Sequence, residues 1–143
     1  MSTAIRHATP PDAPHLAQLS TQLGYPMSAG EAEARLAAIA GHPDHALLVA
    51  DADGRVAGWL QVSLPRIFES PRQAEIAGLI VAENARGRGL GRALVNAAVQ
   101  WARERDCSAL RVRSNVIREE AHAFYHHAGF AEIKTQRVFE KPL

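Results

Sequence analysis

The sequence feature that most constrains the fold is a glycine-rich turn at residues 86–91, which reads Arg-Gly-Arg-Gly-Leu-Gly. An apolar run at residues 76–82 precedes the turn, and an amphipathic stretch at residues 90–105 overlaps its end and continues beyond it. This order predicts a buried strand that passes directly into a helix. Glycine lets the backbone approach an anion closely, and the first helical turn presents unpaired N–H groups at the positive end of the helix dipole. We therefore expect the turn to bind a phosphate.

Hydrophobic periodicity along the rest of the chain predicts one mixed α/β domain over residues 1–143. The helix signals cover residues 9–23, 28–39, 90–105 and 117–128. Ser28 and Glu31 form a capping box, and Gly129 ends the last helix. Strand patterns cover residues 4–8, 46–50, 56–64, 73–82 and 110–113, followed by two paired strands at 130–134 and 137–141. The pair Asp53-Gly54 predicts a hairpin between two of these strands.

Charge, cysteine and histidine patterns exclude several classes of protein. The net charge of +1 disfavours nucleic-acid binding, which needs a basic excess. The single cysteine, Cys107, forms no internal disulfide, and no segment approaches the ~20 apolar residues of a membrane span. The N-terminal residues lack the apolar core of a signal peptide, so we expect a cytoplasmic protein that contacts no membrane. His122 and His126 have metal-ligand spacing, but Ala123 replaces the glutamate of a His-Glu-x-x-His site, so no metal is expected.

The two common nucleotide-binding motifs do not fit the glycine turn. A P-loop needs Lys and then Ser or Thr after its last glycine, where this chain has Arg92 and Ala93. A dinucleotide fingerprint needs Gly-x-Gly-x-x-Gly, whereas glycines at positions 87, 89 and 91 give Gly-x-Gly-x-Gly. We still favour the interpretation that the glycine turn binds a phosphate group, but one that belongs to a different kind of ligand. The alternative is an unoccupied turn whose glycines serve packing alone.

Several separate segments together resemble one enzyme family. They are Leu79-Ile80-Val81, the turn Arg86-Gly87-Arg88-Gly89-Leu90-Gly91, Asn115, Ala123-Phe124-Tyr125 and Gly129-Phe130. In this order they resemble the GCN5-related N-acetyltransferases over residues 4–141. The resemblance implies the acyl-CoA N-acyltransferase fold, a mostly antiparallel mixed sheet of about six to seven strands, splayed in the middle, with about four flanking helices. It also implies transfer of the acetyl group of acetyl-CoA directly to an amine in a ternary complex.

The family resemblance also implies where acetyl-CoA binds. Backbone N–H groups of residues 86–91 and of the following helix start would hold the pyrophosphate, with added charge from three arginines. The strand at 79–81 would be splayed from the strand at 111–113, so that the pantetheine arm takes the place of a strand and a backbone N–H near Leu79 or Ile80 faces the thioester carbonyl. Asn115 would bridge to the pantetheine arm, cap the last helix, or do both. The implied cofactor residues are Leu79, Ile80, Val81, Arg86, Gly87, Arg88, Gly89, Leu90, Gly91, Arg92 and Asn115.

Acetyl transfer to an amine needs a base and benefits from an acid. An alkylammonium with a pKa of ~10.4 must lose a proton at a cost of about 4.6 kcal/mol at pH 7. Glu75 is the candidate base, with a water relay or a merely solvated glutamate as the alternatives. Tyr125 is the candidate acid for the departing thiolate, because its phenol is protonated at neutral pH and the family places this tyrosine beside the sulfur. The alternative for Tyr125 is packing against Phe124.

The acceptor is less constrained by the sequence. Tyr25, Trp59, Phe68 and Glu69 are candidates for binding it, although aromatic residues at such places are more often core or rim residues. We expect a small-molecule primary amine, such as a polyamine, an amino acid or an aminoglycoside. The alternatives are a non-catalytic acyl-CoA binding or sensing module and an enzyme that acetylates a protein amine. Because the family is often dimeric, a homodimer is an additional expectation.

Overall fold

The computed structural model describes residues 3–114 and 119–143, which cluster into two compact units, Met1–Val112 and Arg113–Leu143. The first unit contains one five-stranded sheet in the order β1-β2-β3-β4-β5. Its strands are β1 (Thr3–His7), β2 (His45–Ala52), β3 (Arg55–Ser63), β4 (Gln73–Val81) and β5 (Ala109–Val112). Its helices are α1 (Ala13–Gln22), α2 (Ala29–Ile39) and α3 (Leu90–Glu104), and the second unit contains α4 (Glu119–His127). All strand pairs are antiparallel except β4 and β5, which confirms the predicted mixed, mostly antiparallel fold.

The two faces of the sheet in the first unit are covered by different helices. On one face, Leu16 of α1 and Leu36 of α2 pack against Val49 of β2. On the other face, Leu94 of α3 lies 3.4 Å from the position that a Cβ atom at Gly58 of β3 would occupy. Neighbouring residues of a strand point to opposite faces, so Trp59 points toward α1. No helix in the described part of the chain is long and apolar enough to cross a membrane.

Local sequence signals identified most element boundaries correctly. The Ser28 hydroxyl accepts a hydrogen bond from the Glu31 N–H, and the Glu31 carboxylate accepts one from the Ser28 N–H, which confirms the capping box. Asp53 and Gly54 both have positive φ angles, of 52° and 83°, in the hairpin between β2 and β3. This is the twist that a two-residue hairpin turn requires. Gly129, with a φ angle of 96°, follows α4 as predicted.

The predicted C-terminal hairpin is wrong. Residues 130–143 contain neither helix nor strand, and all residues from 131 onward are exposed. The sheet therefore has five strands, rather than six or seven. Val138 is 93% exposed and Phe139 is 88% exposed, so no burial of the apolar positions stabilises a hairpin. The first residues of the predicted last helix, 117 and 118, lie outside the described residues.

A buried carboxylate joins the beginning of α1 to the edge of the sheet. Asp12 makes two hydrogen bonds to the Arg6 guanidinium, of 2.8 and 2.9 Å, and accepts one of 2.7 Å from the Thr9 N–H. Arg6 also donates to Asp51 of β2 at 3.1 Å. The bonds from Arg6 are the main reason that the pKa of Asp12 falls from 3.8 to about 2. Since the folded state binds this proton less tightly than the unfolded state, ionised Asp12 stabilises the fold above about pH 4.

We predict that Asp12→Asn lowers the free energy of unfolding by about 1–2 kcal/mol at pH 7. The loss is limited to this range because Arg6 is partly exposed and solvent screens its charge. The difference from the wild type should shrink as the pH falls from 4 toward 2, because the wild-type carboxylate then becomes protonated. Urea unfolding at a series of pH values measures this effect. Asp106→Asn, the same change at an exposed position, is the control, with an expected effect within about 0.5 kcal/mol. A difference that stays constant with pH would exclude this role for the ion pair.

Candidate functional site

The central feature of the candidate site is an open edge on β4. The parallel ladder with β5 pairs Gln73 to Ile76 with residues 109–112 and then ends. Immediately afterwards, the register with β3 shifts, and Ala77 is the extra residue of a β-bulge. Within the described residues of this unit, the 77–81 segment of β4 therefore pairs with a strand only on its β3 side.

Strand geometry determines which backbone groups face the open edge. The Ala82 N–H donates to the Ala57 carbonyl at 2.8 Å, so it points toward the β3 side. N–H directions alternate along a strand, so the Ile80 N–H also faces β3. The N–H and carbonyl groups of Leu79 and Val81 consequently face the open edge. Of the two predicted donors, Leu79 is therefore the residue whose N–H is directed toward a ligand at this edge.

The glycine turn lies between β4 and α3, as predicted, after a short 3₁₀ helix at Glu83–Ala85. Gly87 and Gly89 have φ angles of 79° and 77°, and a Cβ atom at either position would have no neighbour within 4 Å. Gly89 is the N-cap of α3 and provides no side chain to accept a hydrogen bond from the first N–H groups of the helix. Arg86 donates through Nε to the Val81 carbonyl at 3.3 Å. The turn is thus an accessible, positively polarised backbone surface beside the open edge.

Arginine side chains surround this surface. Arg86, Arg88 and Arg92 are all exposed. Leu90 and Gly91 begin α3, where Leu90 is buried. An anionic group at the turn would meet both backbone N–H donors and guanidinium charge.

The α1-facing side of the sheet carries two predicted site residues. The Trp59 Nε1 group donates to the Ser20 hydroxyl of α1 at 3.2 Å. Glu75 lies opposite Ser63 in the ladder between β3 and β4, and both residues therefore share a face with Trp59. Tyr25 follows α1, and its N–H donates to the Ser20 carbonyl at 2.9 Å. The structure thus connects Tyr25 and Trp59 through a single serine and places Glu75 on the same side of the sheet as Trp59.

Phe68 and Glu69 lie on an exposed loop that is fixed at both ends. Arg66 binds the Asp44 carboxylate at 2.9 and 3.1 Å, and the Ser108 N–H donates to the Arg72 carbonyl at 2.8 Å. The loop lines a cavity of about 400 Å³ with its own residues, which are Leu64, Pro65, Arg66, Ile67, Phe68, Ser70, Pro71 and Arg72. The Phe68 side chain is fully exposed. Both ends of the loop are thus hydrogen-bonded to other segments, while Phe68 between them makes no buried contact.

The second unit contains the predicted acid. Tyr125 is half-buried on α4. The centroid of its ring lies 5.3 Å from that of Phe124 and 5.7 Å from that of Phe130, and both pairs have edge-to-face geometry. The Phe130 N–H donates to the Tyr125 carbonyl at 2.9 Å and closes the end of the helix. These contacts fix the ring by packing. Asn115, the predicted pantetheine contact, lies outside the described residues.

Comparisons with known proteins identify the family. The acetyltransferase (GNAT) family model matches residues 13–130. This chain belongs to the GNAT family of acetyltransferases. An aminoglycoside N(6')-acetyltransferase type 1 from Stenotrophomonas maltophilia is 33% identical to it over 143 residues, which cover 97% of this chain and 93% of that protein. A protein of the same description from Klebsiella aerogenes is 32% identical over 104 residues, covering 71% of this chain and 68% of the relative.

Solved structures of GNAT acetyltransferases agree with the fold. The structure of AAC(6')-Iy in complex with the bisubstrate analogue CoA-S-monomethyl-acetylneamine has a TM-score of 0.88, with 20% identity and full coverage of both chains. At 20% sequence identity, this structural similarity supports the fold alone. The family model and the curated relatives establish the chemistry, and this GNAT protein is an acetyl-CoA-dependent N-acetyltransferase. In residues 3–114 and 119–143, no group of three His, Cys, Asp or Glu residues is arranged to hold a metal ion.

Sequence reasoning missed two residues that contact Trp59, one of the candidate site residues. Ser20 is only 1% exposed and holds the Trp59 indole. Gly78 lies under the same indole, with its missing Cβ position 2.9 Å from a Trp59 ring carbon. An isolated glycine inside an apolar strand is a sequence signal of close approach, so Gly78 was detectable. Ser20 has no comparable signal, because its partner is 39 residues away.

Proposed function

We propose that this GNAT enzyme transfers the acetyl group of acetyl-CoA directly to a primary amine of an aminoglycoside-like small molecule, within a ternary complex. The observation that carries the proposal is the relative described as an aminoglycoside N(6')-acetyltransferase, which is 33% identical over 97% of this chain. The family match at residues 13–130 includes parts of both compact units. We therefore infer that residues 1–143 act as one acetyltransferase domain.

Acetyl-CoA is proposed to bind along the glycine turn and the open edge of β4. The pyrophosphate takes the backbone N–H groups of residues 86–91 and the first turn of α3, where the helix dipole favours an anion. The pantetheine arm then lies beside Leu79 and Val81, whose polar backbone groups face the open edge. When the amine attacks the thioester carbon, negative charge develops on the carbonyl oxygen. We assign the stabilisation of this oxygen to the Leu79 N–H, and its direction toward the open edge supports this choice over Ile80. One such donor contributes ~3 kcal/mol.

Glu75 is the proposed base. It receives a proton from the attacking ammonium, either directly or through water, and the resulting free amine forms the new C–N bond. Its position on the α1-facing side of β4, two residues before the bulge at Ala77, supports this role. Collapse of the tetrahedral intermediate then breaks the C–S bond and releases the CoA thiolate. The acylated nitrogen loses its second proton to water in this step, which leaves the neutral amide, and Glu75 returns the proton it received to solvent.

Tyr125 is proposed to give its phenolic proton to that thiolate. Phenols are proton donors in general, and a thiolate whose thiol has a pKa of ~8.5 is a fair leaving group that a proton donor improves. The edge contacts with Phe124 and Phe130 restrict the ring, which supports a defined orientation. Asn115 remains the predicted additional contact with the pantetheine arm.

The acceptor is proposed to bind through Tyr25, Trp59, Phe68 and Glu69. An aminoglycoside carries several ammonium groups, and aromatic faces and carboxylates are the side chains that attract them. Trp59 is half-buried, while Tyr25, Phe68 and Glu69 are exposed. These residues offer both an apolar surface and negative charge to a polycationic ring system.

We further infer a homodimer that resides in the cytoplasm, where a lone free cysteine is stable. The exposed apolar residues Val138 and Phe139 of the C-terminal segment support association with a second copy of the chain. Light scattering of the full chain should give the mass of a dimer. Phe139→Asp should shift the mass to that of a monomer, and an unchanged mass would exclude this segment as the interface.

The decisive test of the proposed function is a panel of amines incubated with the protein and acetyl-CoA, with release of free thiol as the measurement. Release that depends on an aminoglycoside supports the proposal. If thiol is released only with polyamines, amino acids or protein lysines, the proposed acceptor class is wrong, and the amine that supports release is the acceptor. Binding of acetyl-CoA without thiol release on any amine would contradict the enzymatic function and support a sensing module.

A matched pair of glycine substitutions tests where acetyl-CoA binds. Gly89→Ala and Gly54→Ala each place a side chain at a positive φ angle with an open Cβ position, so both should cost about 1 kcal/mol of stability. Only Gly89→Ala should raise the KM for acetyl-CoA, by about tenfold, because its methyl group occupies space next to the phosphate-binding N–H groups. Steady-state kinetics and thermal unfolding provide the measurements. Equal KM values in the two variants would place the pyrophosphate elsewhere.

The base is tested by the pH dependence of Glu75→Gln. We expect kcat/KM to fall by about 10²-fold near pH 7 and the loss to shrink toward pH 10, because the acceptor is then already a free amine. Glu33→Gln, an exposed glutamate on α2, is the control and should retain wild-type kinetics. A loss of the same size at every pH would show that Glu75 has no role as a base.

A further inference from the structure

The Trp59 indole is held at two separate points. A Cβ atom built at Gly78 would lie 2.9 Å from Cζ3 of the indole, closer than real Cβ atoms approach, and 3.0 Å from Cη2, which is tighter than nearly all real Cβ contacts. The benzo ring therefore packs directly on the backbone of β4, in space that only glycine leaves open. At the other end of the indole, Nε1 donates to the Ser20 hydroxyl at 3.2 Å.

Both contacts restrict the orientation of the ring. Ser20 is 1% exposed in α1, so its hydroxyl is a fixed acceptor within the core. Loss of this acceptor would leave a polar N–H group unpaired at a partly buried site, which is unfavourable. Gly78 fixes how closely the ring approaches the sheet. Trp59 is nevertheless only half-buried, so part of the indole is accessible to a ligand.

The indole lies beside the reactive part of the site. Gly78 immediately precedes Leu79, whose N–H faces the open edge of β4, and follows the bulge at Ala77. Glu75 points to the same face of the sheet as Trp59. The Trp59 side chain thus shares this face with the proposed base and contacts the strand that would hold the thioester.

We propose that Ser20 and Gly78 are positioning residues that fix the Trp59 indole as a wall of the acceptor site. This inference rests on the proposed function and specifies how the acceptor is recognised. Tryptophan is the best aromatic partner for a cation, and an indole that is already fixed loses no rotational freedom when an ammonium-bearing ring packs against it. The wall selects acceptors with a second ammonium group on a ring near the reacting amine.

The test compares Gly78→Ala with Gly30→Ala, a matched change on α2 where the nearest neighbour of the new methyl group is 3.9 Å away. Wild-type turnover of an aminoglycoside is measured first. Gly78→Ala should then raise the KM for that acceptor about tenfold, because the displaced indole loses its cation–π contact with the acceptor. The KM for acetyl-CoA should not change. Gly30→Ala should match the wild type. Equal acceptor KM values in the two variants, or a parallel rise in the KM for acetyl-CoA, would overturn the proposal.

Double substitutions show whether the two residues act through the indole. Trp59→Phe removes both the benzo ring atoms that contact Gly78 and the Nε1 donor. By itself, this change should weaken binding of the acceptor and raise its KM. In a Trp59→Phe background, Gly78→Ala and Ser20→Ala should each have little further effect on the acceptor KM, whereas each raises it in the wild-type background. Full additivity in both cycles would mean that Gly78 and Ser20 act independently of Trp59, and the proposal would be wrong.

These measurements separate the inference from the proposed function. If the wild type turns over no aminoglycoside but acetylates another amine, the proposed acceptor class fails, and the same variants are measured with that amine. An unchanged KM for a monoamine beside a raised KM for a diamine supports recognition of a second cation by the wall. An equal rise for both types of amine would overturn that selectivity.

Discussion

The ending of the β4–β5 ladder at Ile76 is the constraint on which the rest of the site depends. A paired β4 would offer no backbone group to a ligand, whereas an open strand edge presents polar groups that bind any partner of matching shape. The bulge at Ala77 coincides with this ending and changes the register of β4 against β3. The open edge then leads, after a 3₁₀ turn, into the glycines and the positive end of α3. One discontinuity in the sheet thus leaves backbone groups on β4 that pair with no strand among the described residues of this unit and that lead along the chain to the proposed acetyl-CoA site at the glycine turn.

The rigid parts of the first unit support this path from both sides. Leu94 of α3 packs at Gly58 on one face, and Trp59 bonds Ser20 of α1 on the other. Glycine serves contrasting purposes here. At positions 87 and 89 it permits a positive φ angle beside empty space, while at position 78 it permits the close approach of an indole. The proposed donor site therefore depends on backbone conformation, and the proposed acceptor site depends on side-chain packing.

The ion pair of Arg6 and Asp12 contributes to this arrangement from outside the site. It fixes the first turn of α1 against β1, and Asp51 extends the network to β2. Ser20, which accepts the Trp59 hydrogen bond, lies near the other end of the same helix. Helix α1 therefore carries a tertiary contact at each end.

The sequence by itself determined the features that depend on residues close along the chain. The glycine turn, the start of α3, the Ser28 capping box and the Asp53-Gly54 hairpin all follow from local backbone preferences and hydrogen bonds within a few residues. The family resemblance also implies that residues 79–81 are splayed from residues 111–113, and the end of the β4–β5 ladder at Ile76 agrees with this. Only the tertiary structure decided the bulge at Ala77, the contact of Trp59 with Gly78 and the lack of a hairpin in residues 130–143. These features depend on pairing and burial between distant segments, which local propensity does not encode.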